Sequence, residues 1–234
     1  MITNLQHFLC MGQRNTPLFI ACLLAANIAG AQETKPAPAP PSGSIPAIPL
    51  QPAPGGKPAQ EVQTLKAGAV APDFESRDLS GKTVRLSDWK EKVVVLDFWA
   101  TWCGPCLASL PHTQAVAKQY KDQGVVILAS CTSDTRTNFE AWAKLNQTKY
   151  PDLAFTCDPH ERGSASFDDR ASRKLYGVRG IPTQFVIGRD GKIVAVLVGY
   201  EKEGVRLEAA LAKAGLRVDP AIRARGEEQM RQDN

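Results

Sequence analysis

Apolar positions in this chain fall into two rhythms that alternate from about residue 93 onward. Nearly unbroken apolar runs of strand length occur at 93–98, 125–130, 153–156 and 183–187, and the first two are apolar enough to lie buried on both faces of a sheet. Between them come longer stretches with helical spacing. One covers 106–121 and is closed by Gly124 as a C-cap; others cover 138–145, 170–176 (stopped by Gly177) and 203–214 (ending at Gly215). Runs 183–187 and 192–199 flank Arg189-Asp190-Gly191, a strong hairpin signal. Upstream, two short strand-like pieces surround Ser80-Gly81, and Ser87-Asp88 offers a cap or turn before Trp89. Strands alternating with helices and closing on a hairpin predict an α/β sandwich with a central mixed sheet flanked by helices.

The first sixty residues stand outside that rhythm. Arg14 precedes an apolar stretch at 17–28, and Ala29-Gly30-Ala31 follows as a small-residue cleavage site. The stretch is shorter than the roughly 20 residues a membrane span needs, so 1–31 is read as a signal peptide, with an uncleaved anchor as the competing reading. Residues 32–61 are rich in Pro and Ala, too poor in apolar surface to offset the entropy of ordering, and are read as a disordered linker. One domain is expected over 62–216, long enough for a real core. The tail at 217–234 is charged and expected to fray or form a marginal helix. Export would remove Cys10 and Cys22 and leave four cysteines in a compartment that tolerates disulfides, the bacterial periplasm or cell envelope. With 28 Lys and Arg against 24 Asp and Glu, the formal charge of +4 carries no footprint for nucleic acid.

Chemistry concentrates in Phe98-Trp99-Ala100-Thr101-Trp102-Cys103-Gly104-Pro105-Cys106. Two cysteines two residues apart follow a buried strand and open a helix. Cys103 then sits near a helix N-terminus, where unpaired N–H groups and the helix dipole favour a thiolate, the attacking form in disulfide exchange. Cys106, one turn further on, is placed to attack Cys103 and release a mixed-disulfide partner. A zinc site needs two further ligands, and His112, Cys131, Cys157 and His160 form no second CxxC or HxxxH pair. Asp97 is an acid inside an apolar strand, expensive unless neutral or partnered. Cys131 and Cys157 lie just past the ends of predicted strands. A structural disulfide between them is the preferred expectation, with buried free thiols and a second exchange pair left open.

This pattern resembles the thioredoxin superfamily, and within it the exported TlpA/ResA-like branch. The run from Val95 to Cys106 matches the active-site block, and Arg179-Gly180-Ile181-Pro182-Thr183 a second block far downstream. Ala71-Pro72-Asp73-Phe74 and Leu86-Ser87-Asp88-Trp89 look like the branch's N-terminal hairpin region, and 131–169 like its helix-strand insertion. The resemblance implies a thioredoxin-like fold and a thiol–disulfide oxidoreductase with Cys103 as nucleophile and Cys106 as resolving cysteine. It implies a cis bond before Pro182 that exposes the Ile181 backbone, with substrate contacts from Trp102, Gly104, Pro105 and Ile181. It also implies proton exchange between Asp97 and Cys106, and a shape role for Pro111. Many ResA-like proteins carry a glutamate three residues after the second cysteine; here Ser109 stands there, which leaves more of the proton traffic to Asp97.

The Gly104-Pro105 dipeptide is that of thioredoxin, with a potential of about −270 mV against about −120 mV for the oxidant DsbA, and so favours a reductant. The expected partners are cysteine-containing envelope proteins, apocytochrome c among them, and a membrane thiol electron donor. Neither cofactor nor metal is expected, and the chain is expected to be a monomer. Two rivals are a peroxiredoxin-like peroxidase and a copper or zinc carrier using Cys103, Cys106 and a histidine. Peroxiredoxins place a threonine three residues before the reactive cysteine, and here that place holds Ala100.

Overall fold

The computed structural model describes residues 63–202 and 204–232, so the expected signal peptide and linker, with Cys10 and Cys22, lie outside the described residues. Seven strands form one sheet in the order β2-β1-β5-β4-β3-β6-β7. Its centre is β3 (Val93–Trp99), which runs parallel to β4 (Val125–Cys131); β4 in turn is parallel to β5 (Leu153–Cys157). On the other side of β3, β6 (Thr183–Ile187) is antiparallel and turns through Gly191, at φ 76°, into β7 (Ile193–Val198). The upstream hairpin β1 (Glu75–Arg77) and β2 (Thr83–Arg85) joins the same sheet, β1 pairing antiparallel with β5.

Alternation along β3 sorts the core into two layers. Val93, Val95 and Trp99 share one cluster with Cys106 and Leu110 of α1 (Gly104–Tyr120), Phe139 of α2 (Arg136–Asn146), and Leu207 and Leu211 of α4 (Arg206–Lys213). Val94, Leu96 and Phe98 face the opposite cluster with Phe74, Tyr176 and Phe185, beside the short α3 (Ala171–Lys174). There the Tyr176 ring meets Phe98 and Phe185 edge-on at 5.3 and 5.0 Å, and its hydroxyl donates to the Pro72 carbonyl at 2.6 Å. Asp97 therefore lies on the α1 side of the sheet, in the layer that holds the cysteine pair.

The helices begin and end within two or three residues of the expected places, with one consequential shift. α1 starts at Gly104 rather than 106, because Cys103 itself is the N-cap and Pro105 fits the first turn. The tail, expected to fray or form a marginal helix, forms the helix α5 (Pro220–Gln232), docked on α4. Gly226 allows the approach, since a Cβ there would lie 2.3 Å from the Val205 carbonyl oxygen and 2.7 Å from Ala209 Cβ. Gln229 then accepts the Val205 N–H at 2.9 Å, and Val218 and Met230 pack on the core. No described helix is long and apolar enough to cross a membrane.

Candidate active site at the head of the first helix

β3 ends at Trp99, which like the following Ala100 is fully buried, and the chain turns over Ala100 as the Cys103 N–H donates to its carbonyl at 3.1 Å. Cys103 and Cys106 are joined by a disulfide, with their Cα atoms 5.2 Å apart. The Cys106 N–H donates to Cys103 Sγ at 3.2 Å, the side-chain capping bond that starts α1. Cys103 is 5% exposed and Cys106 1%, so the N-terminal sulfur is the one nearer solvent. That sulfur lies 3.7 Å from the Ile181 carbonyl oxygen, and the Ile181–Pro182 peptide bond is cis. Residues from two distant parts of the chain thus meet: Cys103 and Cys106 from the first motif, Ile181 and Pro182 from the second.

A groove of about 380 Å³ opens beside the pair, lined among others by Trp102, Gly104, Pro105, Val178 and Ile181. Trp102 is 55% exposed, and its indole N–H donates to the Ser133 carbonyl at 3.0 Å while the Arg162 guanidinium lies over its ring. Arg170 and Arg179 are the charged residues of the lining, so the groove is cationic. Asp134 fixes the loop from below. Its carboxylate accepts the Thr101 N–H at 3.0 Å and the Thr101 hydroxyl at 2.6 Å. Burial pushes that carboxyl up, but hydrogen bonds from Thr101, Asn138 and Thr135 outweigh burial and hold it below the usual carboxylate range. Sequence reasoning passed over Asp134; its only signal was a short polar cluster ahead of a helix.

Asp97 is buried, and burial raises its pKa to about 6 against a lowering hydrogen bond from the Gln184 amide at 2.9 Å. Its other oxygen, Oδ1, has no partner among the described residues. Ser109, in place of the family's glutamate, donates to the Cys106 carbonyl at 2.7 Å and so closes on its own helix. Pro111 lies within α1, and the neighbouring His112 pairs with the buried Glu208 of α4 at 3.4 Å.

The expected Cys131–Cys157 disulfide is absent, which corrects that expectation. The two residues end adjacent parallel strands in direct register and are buried free thiols. The Cys131 sulfur lies 4.0 Å from Asp134 Oδ2, and that of Cys157 lies 3.7 Å from its neighbour's carbonyl at Asp158. The Cys157 thiol beside it, together with burial, pushes the Cys131 thiol well above its usual range and so favours its protonated form. Among the described residues no group of three or more His, Cys, Asp or Glu side chains is arranged to hold a metal ion.

Residues 66–214 match the profile of the family described as Redoxin. The thiol-disulfide oxidoreductase ResA of Bacillus thuringiensis subsp. konkukian (strain 97-27) is 34% identical over 151 residues, 64% of this chain and 80% of that protein. ResA of Bacillus subtilis (strain 168) is 32% identical over 143 residues, 61% of this chain and 73% of that one. Among solved structures, a Chlorobium tepidum protein provisionally assigned as the thiol:disulfide interchange protein DsbE superposes with a TM-score of 0.52 at 34% identity. That match covers 65% of this chain and 99% of the other.

Proposed function

The chain belongs to the Redoxin family and is a ResA-like thiol–disulfide oxidoreductase with a thioredoxin-like fold, and from that premise we propose that it reduces disulfides in exported, cysteine-containing proteins. The observation that carries the reading is the Cys103–Cys106 pair at the head of α1 with the Ile181 carbonyl against Cys103. In the reduced enzyme Cys103 is the nucleophile. The Cys106 N–H that already points at its sulfur and the positive end of α1 both favour its thiolate.

A substrate segment lies extended in the groove, its backbone paired with Ile181 and its disulfide placed over Cys103 by Trp102, Gly104 and Pro105. The Cys103 thiolate attacks one substrate sulfur, a mixed disulfide forms, and the other substrate sulfur leaves as a thiolate that takes a proton from solvent. Asp97 then accepts the Cys106 proton, and the Cys106 thiolate attacks Cys103. The Cys103–Cys106 bond forms, the bond to substrate breaks, and the substrate has gained two electrons. Pro182 holds the Ile181 backbone in place for this exchange.

Regenerating the dithiol outside the cytosol requires a membrane thiol protein as electron donor. The signal-like segment at 1–31 supports export, and the thioredoxin-type Gly104-Pro105 dipeptide supports the reducing direction. Apocytochrome c is one substrate of the proposed class. Replacing Cys106 with serine removes the resolving thiol, so Cys106→Ser expressed in cells should accumulate mixed disulfides with envelope proteins through Cys103. Non-reducing gels followed by mass spectrometry read this out. Adducts of equal yield in Cys103→Ser, or none in Cys106→Ser, would overturn the assignment of the nucleophile.

A further inference from the structure

We propose that Gln184 is a positioning residue for this reaction, its side-chain amide holding the Asp97 carboxylate in the ionised, proton-accepting form beneath the cysteine pair. The inference rests on the role given above to Asp97 and adds the group that controls it.

Asp97 and Gln184 stand directly opposite each other on the antiparallel pair β3–β6, so their side chains leave the same face of the sheet. Gln184 Nε2 donates to Asp97 Oδ2 at 2.9 Å and lies 3.5 Å from the Thr113 hydroxyl oxygen on α1. The Thr113 hydroxyl proton is engaged by the Ser109 carbonyl at 3.1 Å, which leaves its oxygen free to accept from the amide. Both amide protons therefore have acceptors, and that fixes the amide with its donor face toward the carboxylate. The elements packed around Asp97 offer no charge that could do this instead. Its register partner on β4 is Ala129, and Gln184's partner on β7 is Leu197. The titratable groups of the same layer are Cys103, Cys106 (the proton's source) and Tyr120 of α1, Cys131 of β4, Cys157 of β5 and Tyr150, none of them a cation, while His112 of α1 stands 3.4 Å from Glu208 of α4.

Two further features join this contact to the substrate. Gln184 is half-buried and borders a cavity of about 40 Å³ with Ser109, His112 and Pro182, larger than the ~10–15 Å³ a water needs. It also sits on the strand that continues directly from Ile181-Pro182, three residues beyond the carbonyl that faces Cys103. The backbone offered to substrate and the amide that orients the proton acceptor are thus three residues apart on one continuous segment leading into β6. A neutral acid could be held equally well by the amide oxygen after a flip. The observed orientation, with the nitrogen toward the carboxyl, offers a donor from which the ionised form gains more than the neutral acid does.

The full chain, reduced and mixed with an aromatic disulfide such as dithiobis(nitrobenzoate), releases one chromophoric thiolate as Cys103 is modified and a second as Cys106 resolves the mixed disulfide. The pH dependence of the second release reads the proton acceptor. Gln184→Met keeps the side chain's length and removes its donor, and Gln184→Leu serves as a second apolar replacement should the first perturb folding. Loss of a hydrogen bond to a charged group corresponds to a rise of about one to two pH units in the midpoint of that profile. Between pH 5 and 6 the second release should then slow by about ten- to a hundredfold, the fold-change that one to two pH units represent. In an Asp97→Asn background, Gln184→Met should cause no further shift. A profile for Gln184→Met and Gln184→Leu that superimposes on the parent, while Asp97→Asn alters it, sinks the role of Gln184 and leaves that of Asp97 standing. A profile that Asp97→Asn leaves unaltered sinks both.

Discussion

Asp97 lies wholly within the protein between apolar neighbours, where water is replaced by one amide, and its folded pKa of about 6 states the consequence. In the unfolded chain the same group titrates near 3.8. Between those values the folded state keeps a proton that the unfolded state has lost. Stability therefore falls as pH rises through that window, by about 3 kcal/mol in all, and the loss is complete above pH 6. A residue that only stabilised the fold would not be kept at such a cost; a proton acceptor for a thiol has reason to be. Asp97→Asn keeps the shape and removes the charge. Urea unfolding should find this variant more stable than the parent at pH 8, by an amount on the order of 3 kcal/mol, with the difference fading by pH 4. Equal stability at pH 8 would mean that the carboxyl is not ionised against burial. Sequence alone exposed Asp97, because an acid in an unbroken apolar run stands out. Gln184 was equally polar in an equally apolar run, but nothing in a single strand reveals which residue it will oppose across the sheet. The pairing register supplies that, and it is set by tertiary packing.

At the level of elements, β3, β4 and β6 were legible because a strand buried on both faces has no polar alternation to hide it, and the turn at Gly191 marks its hairpin. The opening of α1 was legible within two residues, and the error was instructive, since a cysteine that caps a helix does not look like a cap residue by type. The second cysteine pair was misread for a related reason. Strand ends in register bring Cys131 and Cys157 side by side, as expected, and their thiols lie next to each other yet remain free. For α5 a marginal helix was among the readings, but its docking on α4 was not legible. Its inward face uses Ile222, Gly226, Gln229 and Met230, a helical spacing with too few apolar residues to register as amphipathic. What binds it is closeness rather than apolar area, and Gly226 provides the closeness. Gly226→Ala should gain up to about 1 kcal/mol of helix propensity, yet lose about 1–3 kcal/mol to the clash with the Val205 carbonyl and Ala209. A net loss in denaturant unfolding, with α5 detaching first by hydrogen exchange, is the expected result. A net gain would mean that α5 does not dock as described.

The molecule as a whole places its chemistry at one end of a sheet whose layers are otherwise ordinary core. Strand β3 delivers the cysteine pair on the head of α1, the segment leading into β6 delivers Ile181-Pro182, and the loop after β4 delivers Ser133 to the wall of the groove and Asp134 to hold Thr101. Three segments meeting at the same end of the sheet thus assemble a site in which Cys103 is the less buried of the two cysteines. The direction of electron flow is a property of this whole assembly, because helix, loop and buried acid together set the relative stability of dithiol and disulfide. The reduction potential of the Cys103–Cys106 pair tests the account most directly. It is measured by equilibrating the purified protein in a series of thiol–disulfide buffers and counting free thiols by alkylation and mass. A potential near that of thioredoxin, about −270 mV, is the result expected of a reductant. A potential near that of DsbA, about −120 mV, would contradict the account and make the protein a donor of disulfides.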